Sequence, residues 1–526
     1  MVNRINSVNF LRAMPACGVR IVVALILSAG SALALANEET LHTFGEIKDP
    51  YLGEALFQYY QQDSFTALTQ SMVAQDTDRL RYNKVQGKQL LAELYLSYGL
   101  HRDAEVVLTS LGRESNTANI QDHAWLDLAE ANYSRGLYKD AERALKQVGN
   151  KLDGDGPERM LAVQGALAMS NREYEKAATA FEKLRGSSVW GAYGGYNYGI
   201  ALLNLGRFEK GVDELNKVGR LNVRENELKE LKDHANLALG FLMLRAKDSS
   251  KAIEYLQRIR LAGAHSSRAL LGISWAHMVN RDYESALAPL LELYKRSAGD
   301  GAVLESYLAV PYSYAQLKSD AQAVDYYEKA VSSFEGQLRE IETGKKKYGD
   351  KRSLFAVLER SDNNWTNKVP GWPHSASSRI FVRLMADPWF NATYNNYSDL
   401  VTLRARVKGW SAVVDVYDSM LQTRQKDGSS KSPSTTNTES ESVTRRQLLK
   451  SRQMVDVNSG KMSDLKMRTL ALKPSVDQAI KDHEVYLQKL TLSEFDREQA
   501  RVNEFLTQAR LGLAQLYDQL LKEGNR

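Results

Sequence analysis

The sequence predicts an all-α chain whose first half is a solenoid of helix-turn-helix repeats. Three observations predict it. Apolar residues recur at intervals of three and four along short paired runs, the spacing of one helix face. A small residue returns at Ala67, Ala104, Ala141, Ala177, Gly211, Ala252, Ala286 and Ala323, in steps of 37, 37, 36, 34, 41, 34 and 37 residues. Of 526 residues, 43% are hydrophobic and 25% charged, ordinary for a folded chain with a core.

Residues 1–36 stand apart as a signal peptide. Arg4, Arg12 and Arg20 form a positive leader without an acid, and Ile21–Leu35 is an apolar run of 15 residues, short for a membrane span. Ala34-Leu35-Ala36 is the small-x-small pattern that a signal peptidase cuts. The expectation is export, most simply to a periplasm, with a mature start at Asn37. The alternative is an anchor in the inner membrane through an uncleaved N-terminal helix. Cys17 is the only cysteine and precedes the apolar run, so lipid attachment is not expected. The mature chain then has no disulfide, thiolate metal site or cysteine nucleophile. Loss of the three leader arginines takes the formal charge from +5 to +2. Total charge therefore gives no pointer to nucleic acid, and no second apolar stretch reaches membrane-spanning length.

The clearest repeat runs from Trp125 to Val148. Trp125, Leu128, Ala129 and Asn132 share one helix face, Gly136 supplies the turn, and Tyr138, Ala141, Leu145 and Val148 form a second stripe. Ala141 is small enough for the two helices to approach, while Trp125 and Tyr138 fill the space beside it. Further copies lie at 161–184, 198–215 and 314–331. Gly165, Tyr174, Ala177 and Phe181, then Gly199, Gly206 and Phe208, then Tyr314, Ala323, Tyr327 and Ala330 hold matching places.

This pattern resembles the tetratricopeptide repeat (TPR) family, whose period is about 34 residues. The resemblance covers roughly residues 51–334 and implies a right-handed superhelix. Gly211 replaces the usual alanine, Ser274 and Pro311 replace the small residue of the first helix, and the closing proline is missing. The 41-residue step places a longer connection near 219–230.

A helical extension with an aromatic, proline-rich cap is expected over 335–424. Residues 335–360 continue as helix. Residues 361–397 contain three tryptophans with Pro370, Pro373 and Pro388, and read as an irregular cap over the last repeat. A ligand-binding loop is the other reading of this segment. Residues 398–424 return to helix. Residues 425–444 are rich in Ser and Thr and read as a flexible linker. The C-terminal helical segment, 445–526, contains a long amphipathic, coiled-coil-like helix from about Ser475 to Glu523. That helix is expected either to compete for the groove of the repeats or to dimerise the chain.

No catalytic, cofactor or metal constellation stands out. The eight histidines form no metal-protease pair, and neither a nucleophile elbow nor a phosphate loop is present. What the TPR resemblance implies is a surface, since first helices of successive repeats line a concave groove. Carried over repeat by repeat, the groove positions are Glu93, His123, Glu130, Tyr133, Arg159, Tyr193, Tyr196, His234, Phe241, Arg268, Trp275, Glu305 and Tyr312. The family's basic carboxylate clamp is not reproduced, because Arg159 and Arg268 are three repeats apart. The expected function is a non-enzymatic exported scaffold that binds protein partners in cell-envelope assembly or transport. The alternative is an accessory subunit of an envelope polysaccharide synthesis or export system, binding a glycan chain in the aromatic groove or the export machinery.

Overall fold

A computed structural model describes residues 47–61, 63–98, 100–114, 118–187, 189–296, 300–358, 375–430 and 439–524. Among them the chain forms helices and no strand. The expected signal peptide lies outside the described residues. The described residues divide into two compact units: one comprises those up to Gly336 together with those from Val502 onward, and the other those between Gln337 and Arg501.

In the first unit the helices pair in chain order: α1 (Pro50–Tyr60) with α2 (Ser64–Asp76), α3 (Lys84–Ser97) with α4 (His101–Glu114), and α5 (Ala118–Ser134) with α6 (Tyr138–Leu145). Next come α7 (Gly156–Ser170) with α8 (Tyr174–Leu184), α9 (Gly191–Asn204) with α10 (Phe208–Gly219), and α11 (Asn226–Arg245) with α12 (Ser249–Leu256). Last are α13 (Ser266–Val279) with α14 (Tyr283–Tyr294) and α15 (Gly301–Gln316) with α16 (Asp320–Gly349). The period therefore marks eight helix pairs, each a repeat of the expected TPR-like solenoid.

The row of small residues is the contact line inside each pair. Its seven alanines are all 0% exposed and sit on the second helix. A large residue further along that helix fills the space that a first-helix glycine leaves. A Cβ on Gly165, Gly199 or Gly240 would stand 2.6, 2.8 or 2.4 Å from the side chain of Phe181, Leu215 or Leu256. The glycine at 211 has a physical reason too. Its missing Cβ would meet the Gly199 carbonyl oxygen at 3.0 Å, so in the fifth repeat the two backbones approach too closely for alanine. Ser274 is fully buried and donates its hydroxyl to the Leu270 carbonyl at 2.8 Å, which satisfies the polar group in place.

In the third to eighth repeats the turn between paired helices has a left-handed residue five positions before the small one. Gly136 and Gly206 adopt it at φ 73° and 75°, but Arg172, Lys247, Arg281 and Lys318 adopt it as well, at φ between 57° and 61°. The longest step is absorbed by a connection over 220–225 and by α11, which is 20 residues long.

The rest of the first unit is the end of α20 (Glu439–Gly524). There Leu513, Leu516 and Leu520 pack around Tyr314, Ala315, Ala323 and Tyr327, and Phe505 stacks on Phe334 with centroids 5.9 Å apart. Tyr517 donates to Glu328 at 2.9 Å and Arg510 to Glu335 at 2.6 Å. The C-terminal segment thus covers the apolar face of the last repeat. Its stripe lies on α15 and α16, and the rings of Phe241 and Trp275 are not among its contacts. The end of this helix thus packs on the last repeat, whereas the expectation set it along the rings of the groove or against a second copy.

The second unit is a helical bundle with its own core. It holds the second half of α16, α17 (Lys351–Leu358), α18 (Ala376–Ala386), α19 (Pro388–Ser430) and α20 up to Arg501. Tyr348 lies between Phe381 and Phe495, with centroids 4.9 and 6.1 Å away. Arg383 donates to Glu494 at 3.0 Å and to Glu498 at 2.8 Å.

The expected irregular cap at 361–397 is helical wherever it is described, apart from short joints, and it belongs to this unit. Pro388 opens α19, where a proline lacks only a donor that the first turn leaves unpaired anyway. Residues 361–374 lie outside the described residues. The expected linker also differs. α19 reaches Ser430 and α20 begins at Glu439, well before the expected start at Ser475. Ser and Thr lower helix propensity by only about half a kcal/mol each, so their abundance does not end a helix.

Candidate functional site

The expected groove residues all lie on the first helices of the repeats. Counted back from each small residue, His123, Arg159, Tyr193, His234, Arg268 and Glu305 occupy one register, eighteen positions earlier. Glu93, Glu130, Phe241, Trp275 and Tyr312 occupy a second, eleven positions earlier. The registers differ by seven residues, two helical turns, so both rows fall on one face.

The N-terminal part of that face is a buried charge network. Arg159, 6% exposed, donates through Nε to Glu130 at 3.0 Å and through Nη2 to Glu130 at 2.5 Å and Asp127 at 2.7 Å. Burial works against its charge, but the carboxylates of Glu130 and Asp127 override it and hold the guanidinium above its ordinary pKa. Burial pushes the Glu130 carboxyl up, with Arg159 opposing. Glu93, from the repeat before, is pushed up to about 7 by burial and by the Asp127 carboxylate, with Arg159 opposing. At the rim, His123 Nε2 lies 2.9 Å from Asp153.

The middle carries histidines. The His234 and His265 rings meet edge to face at 4.0 Å, and His234 meets Tyr196 at 6.4 Å. Burial lowers the His234 pKa to about 4, with His265 and Arg268 adding to the effect. Tyr196 is 3% exposed, and its buried hydroxyl has no hydrogen-bond partner. Tyr193 gives its hydroxyl to Glu227. Arg268 is exposed.

At the C-terminal part, Phe241 and Trp275 meet edge to face with centroids 6.0 Å apart, and Tyr312 meets Tyr283 at 6.1 Å. Burial pushes the Glu305 carboxyl up to about 7, with the neighbouring Trp275 indole pulling the other way.

The face thus brings together most of the expected positions, but not as a row of solvent-facing rings. Tyr133, Tyr196 and Trp275 are 8%, 3% and 6% exposed. Tyr193, Phe241 and Tyr312 are half-buried. The rings turn sideways onto their neighbours, as Tyr133 does onto Tyr138 at 5.7 Å. Asp127 and His265 were missed. Each stands one helical turn before an expected groove residue, Glu130 and Arg268, and that i−3 spacing was the available signal. Among the described residues no group of three His, Cys, Asp or Glu is placed to hold a metal, and no helix is long and apolar enough to cross a membrane.

No family model matches the chain, and no curated protein matches it. Solved structures do resemble it. The apo form of RapI is 12% identical over 64% of this chain and 92% of its own, with a TM-score of 0.38. A tetratricopeptide repeat protein from Parabacteroides merdae ATCC 43184 is 13% identical over 47% of this chain and 92% of its own, with a TM-score of 0.33. The Cut9–Hcn1 hetero-tetramer of APC/C is 13% identical over 56% and 54%, with a TM-score of 0.28. At such identities the likeness concerns the fold alone. By its own helix pairs and small-residue contact line, the first unit is a TPR-like α-solenoid, and its first-helix face is the candidate site.

Proposed function

We propose that the chain is a non-enzymatic scaffold, exported and cut after Ala36, that binds protein partners of the cell envelope through its first-helix face. The observation that carries this reading is the chemistry buried on that face. Burial shifts the pKa of Glu93, Glu130, His234 and Glu305, and Arg159 is held charged in burial by the Glu130 and Asp127 carboxylates. A face serving only to stack helices would be more stable with apolar residues there, because desolvating charge costs several kcal/mol per ion. Shifted groups gathered on one face are characteristic of functional surfaces. Export rests on the leader sequence.

We favour this reading over the glycan one. The latter relied on an open platform of rings, whereas Tyr133, Tyr196 and Trp275 are buried.

Arg268 is the cleanest probe, because it is exposed on this face. Phe241 and Trp275 are less suitable, since they pack on each other and their removal would disturb the fold. Arg268→Glu should leave the melting temperature unchanged and reduce the partner recovered by crosslinking in intact cells. Recovery at the wild-type level would count against this face. N-terminal sequencing of the mature protein should begin at Asn37, and a sequence beginning at Met1 would end the export proposal.

A further inference from the structure

Resting on the reading that the first-helix face receives a polypeptide, we propose that Glu305, beside Trp275, is a subsite for the guanidinium of a partner's arginine.

The molecule contains its own precedent. Between the third and fourth repeats, Glu130 and Arg159 occupy the eleven-back and eighteen-back registers, and the carboxylate takes the guanidinium through two hydrogen bonds. Between the seventh and eighth repeats the same two registers hold Trp275 and Glu305. Here the carboxylate stands where Arg159 stood, and an indole stands where Glu130 stood. Among the described residues no cation pairs with Glu305. The buried Trp275 indole Nε1 acts on this carboxyl but makes no hydrogen bond of good geometry, and the residue is only 6% exposed. Burial and the indole are what act on the carboxyl, which is pushed up to about 7. It is a carboxylate largely taken out of water without a counter-charge, yet not fully buried and so within reach.

Charge complementarity selects the occupant. A cation entering here finds a carboxylate and an indole together. Arginine is the side chain that both pairs bidentately with a carboxylate and stacks on aromatic faces, and it is less strongly hydrated than lysine. A metal ion is not favoured, since no group of three ligating side chains is placed for it among the described residues.

The test uses the full chain labelled with 15N and two pentapeptides with blocked termini, Gly-Gly-Arg-Gly-Gly and its citrulline twin. Citrulline keeps the shape of arginine and loses the charge. The readout is the Trp275 indole N–H resonance, assigned by its loss in Trp275→Phe. The arginine peptide should shift this resonance saturably, and the citrulline peptide should bind about tenfold more weakly or worse, as expected for loss of a charge-assisted pair. Glu305→Gln should weaken the arginine peptide by about fivefold or more, with the other indole resonances unmoved to show that the fold persists. An unmoved Trp275 resonance, or equal binding by citrulline or by the Gln variant, would overturn the subsite. If that happened while Arg268→Glu still abolished partner capture, the subsite would fall and the face would stand.

Discussion

Arg159 and Glu130 meet fork to fork across two repeats, with Nε and Nη2 of the guanidinium 3.0 and 2.5 Å from the two carboxylate oxygens. Asp127 takes the same Nη2 at 2.7 Å, so one buried cation serves two acids on the neighbouring helix. Removing the cation alone strands both. Arg159→Ala should cost about 3–5 kcal/mol. The triple variant Arg159→Met, Glu130→Gln, Asp127→Asn should recover most of that loss. Denaturant melts of the single and triple variants check this, and a triple variant less stable than Arg159→Ala would contradict it.

Two mid-helix glycines should respond oppositely to the same substitution. Gly240→Ala places a methyl 2.4 Å from Leu256 Cγ and should cost about 1–3 kcal/mol by overpacking. Gly409 has nothing within 4 Å of its missing Cβ, so Gly409→Ala should gain up to about 1 kcal/mol of helix propensity. Thermal melts that place the two variants in the reverse order would refute the packing assigned to the repeats.

The repeats were legible because their signal is periodic. One small residue per pair has to recur wherever two helices touch, and the row from Ala67 to Ala323 records it. The turn was only half legible. Gly136 announces a left-handed residue, whereas Arg172 and Lys247 hold the same conformation without any sign in their composition. Which residues share the first-helix face was legible from register, but whether a ring faces water was not. Tyr133 and Trp275 stand where a groove residue should and then turn sideways, a choice made by side-chain packing in three dimensions. The helices over 376–397, 425–430 and 439–474 were hidden because prolines and serines lower helix probability without forbidding a start at Pro388.

Glu305 should make stability depend on pH. Its carboxyl is raised in the folded state from 4.5 to about 7, so the folded chain binds this proton more tightly than the unfolded one. Stability from this group is therefore full below about pH 4.5 and falls as pH rises to about 7. Besides burial, the group that acts on it is the Trp275 indole, which does not titrate here. Glu305→Gln should then stabilise the protein at pH 8 by about 1–3 kcal/mol and much less at pH 4.5. The comparison is of melting temperatures at the two pH values, and a larger gain at the lower one would contradict the burial described.

The C-terminal segment should behave as the cover of the last repeat. Deleting 502–526 uncovers Phe334 and Tyr327, which are 0% and 7% exposed in its presence. Binding of a hydrophobic dye should rise and the melting temperature should fall. If neither changes, the segment is not what shields that face.

The central claim, that partners bind on the first-helix face, is tested most directly by placing a photo-crosslinking amino acid at single positions of the full chain in intact cells. Arg268 reports on that face, and exposed Lys183 reports on the second helix of a repeat. The account expects one discrete partner to crosslink through position 268 and not through position 183. The same partner captured through position 183 and absent from position 268 would contradict it.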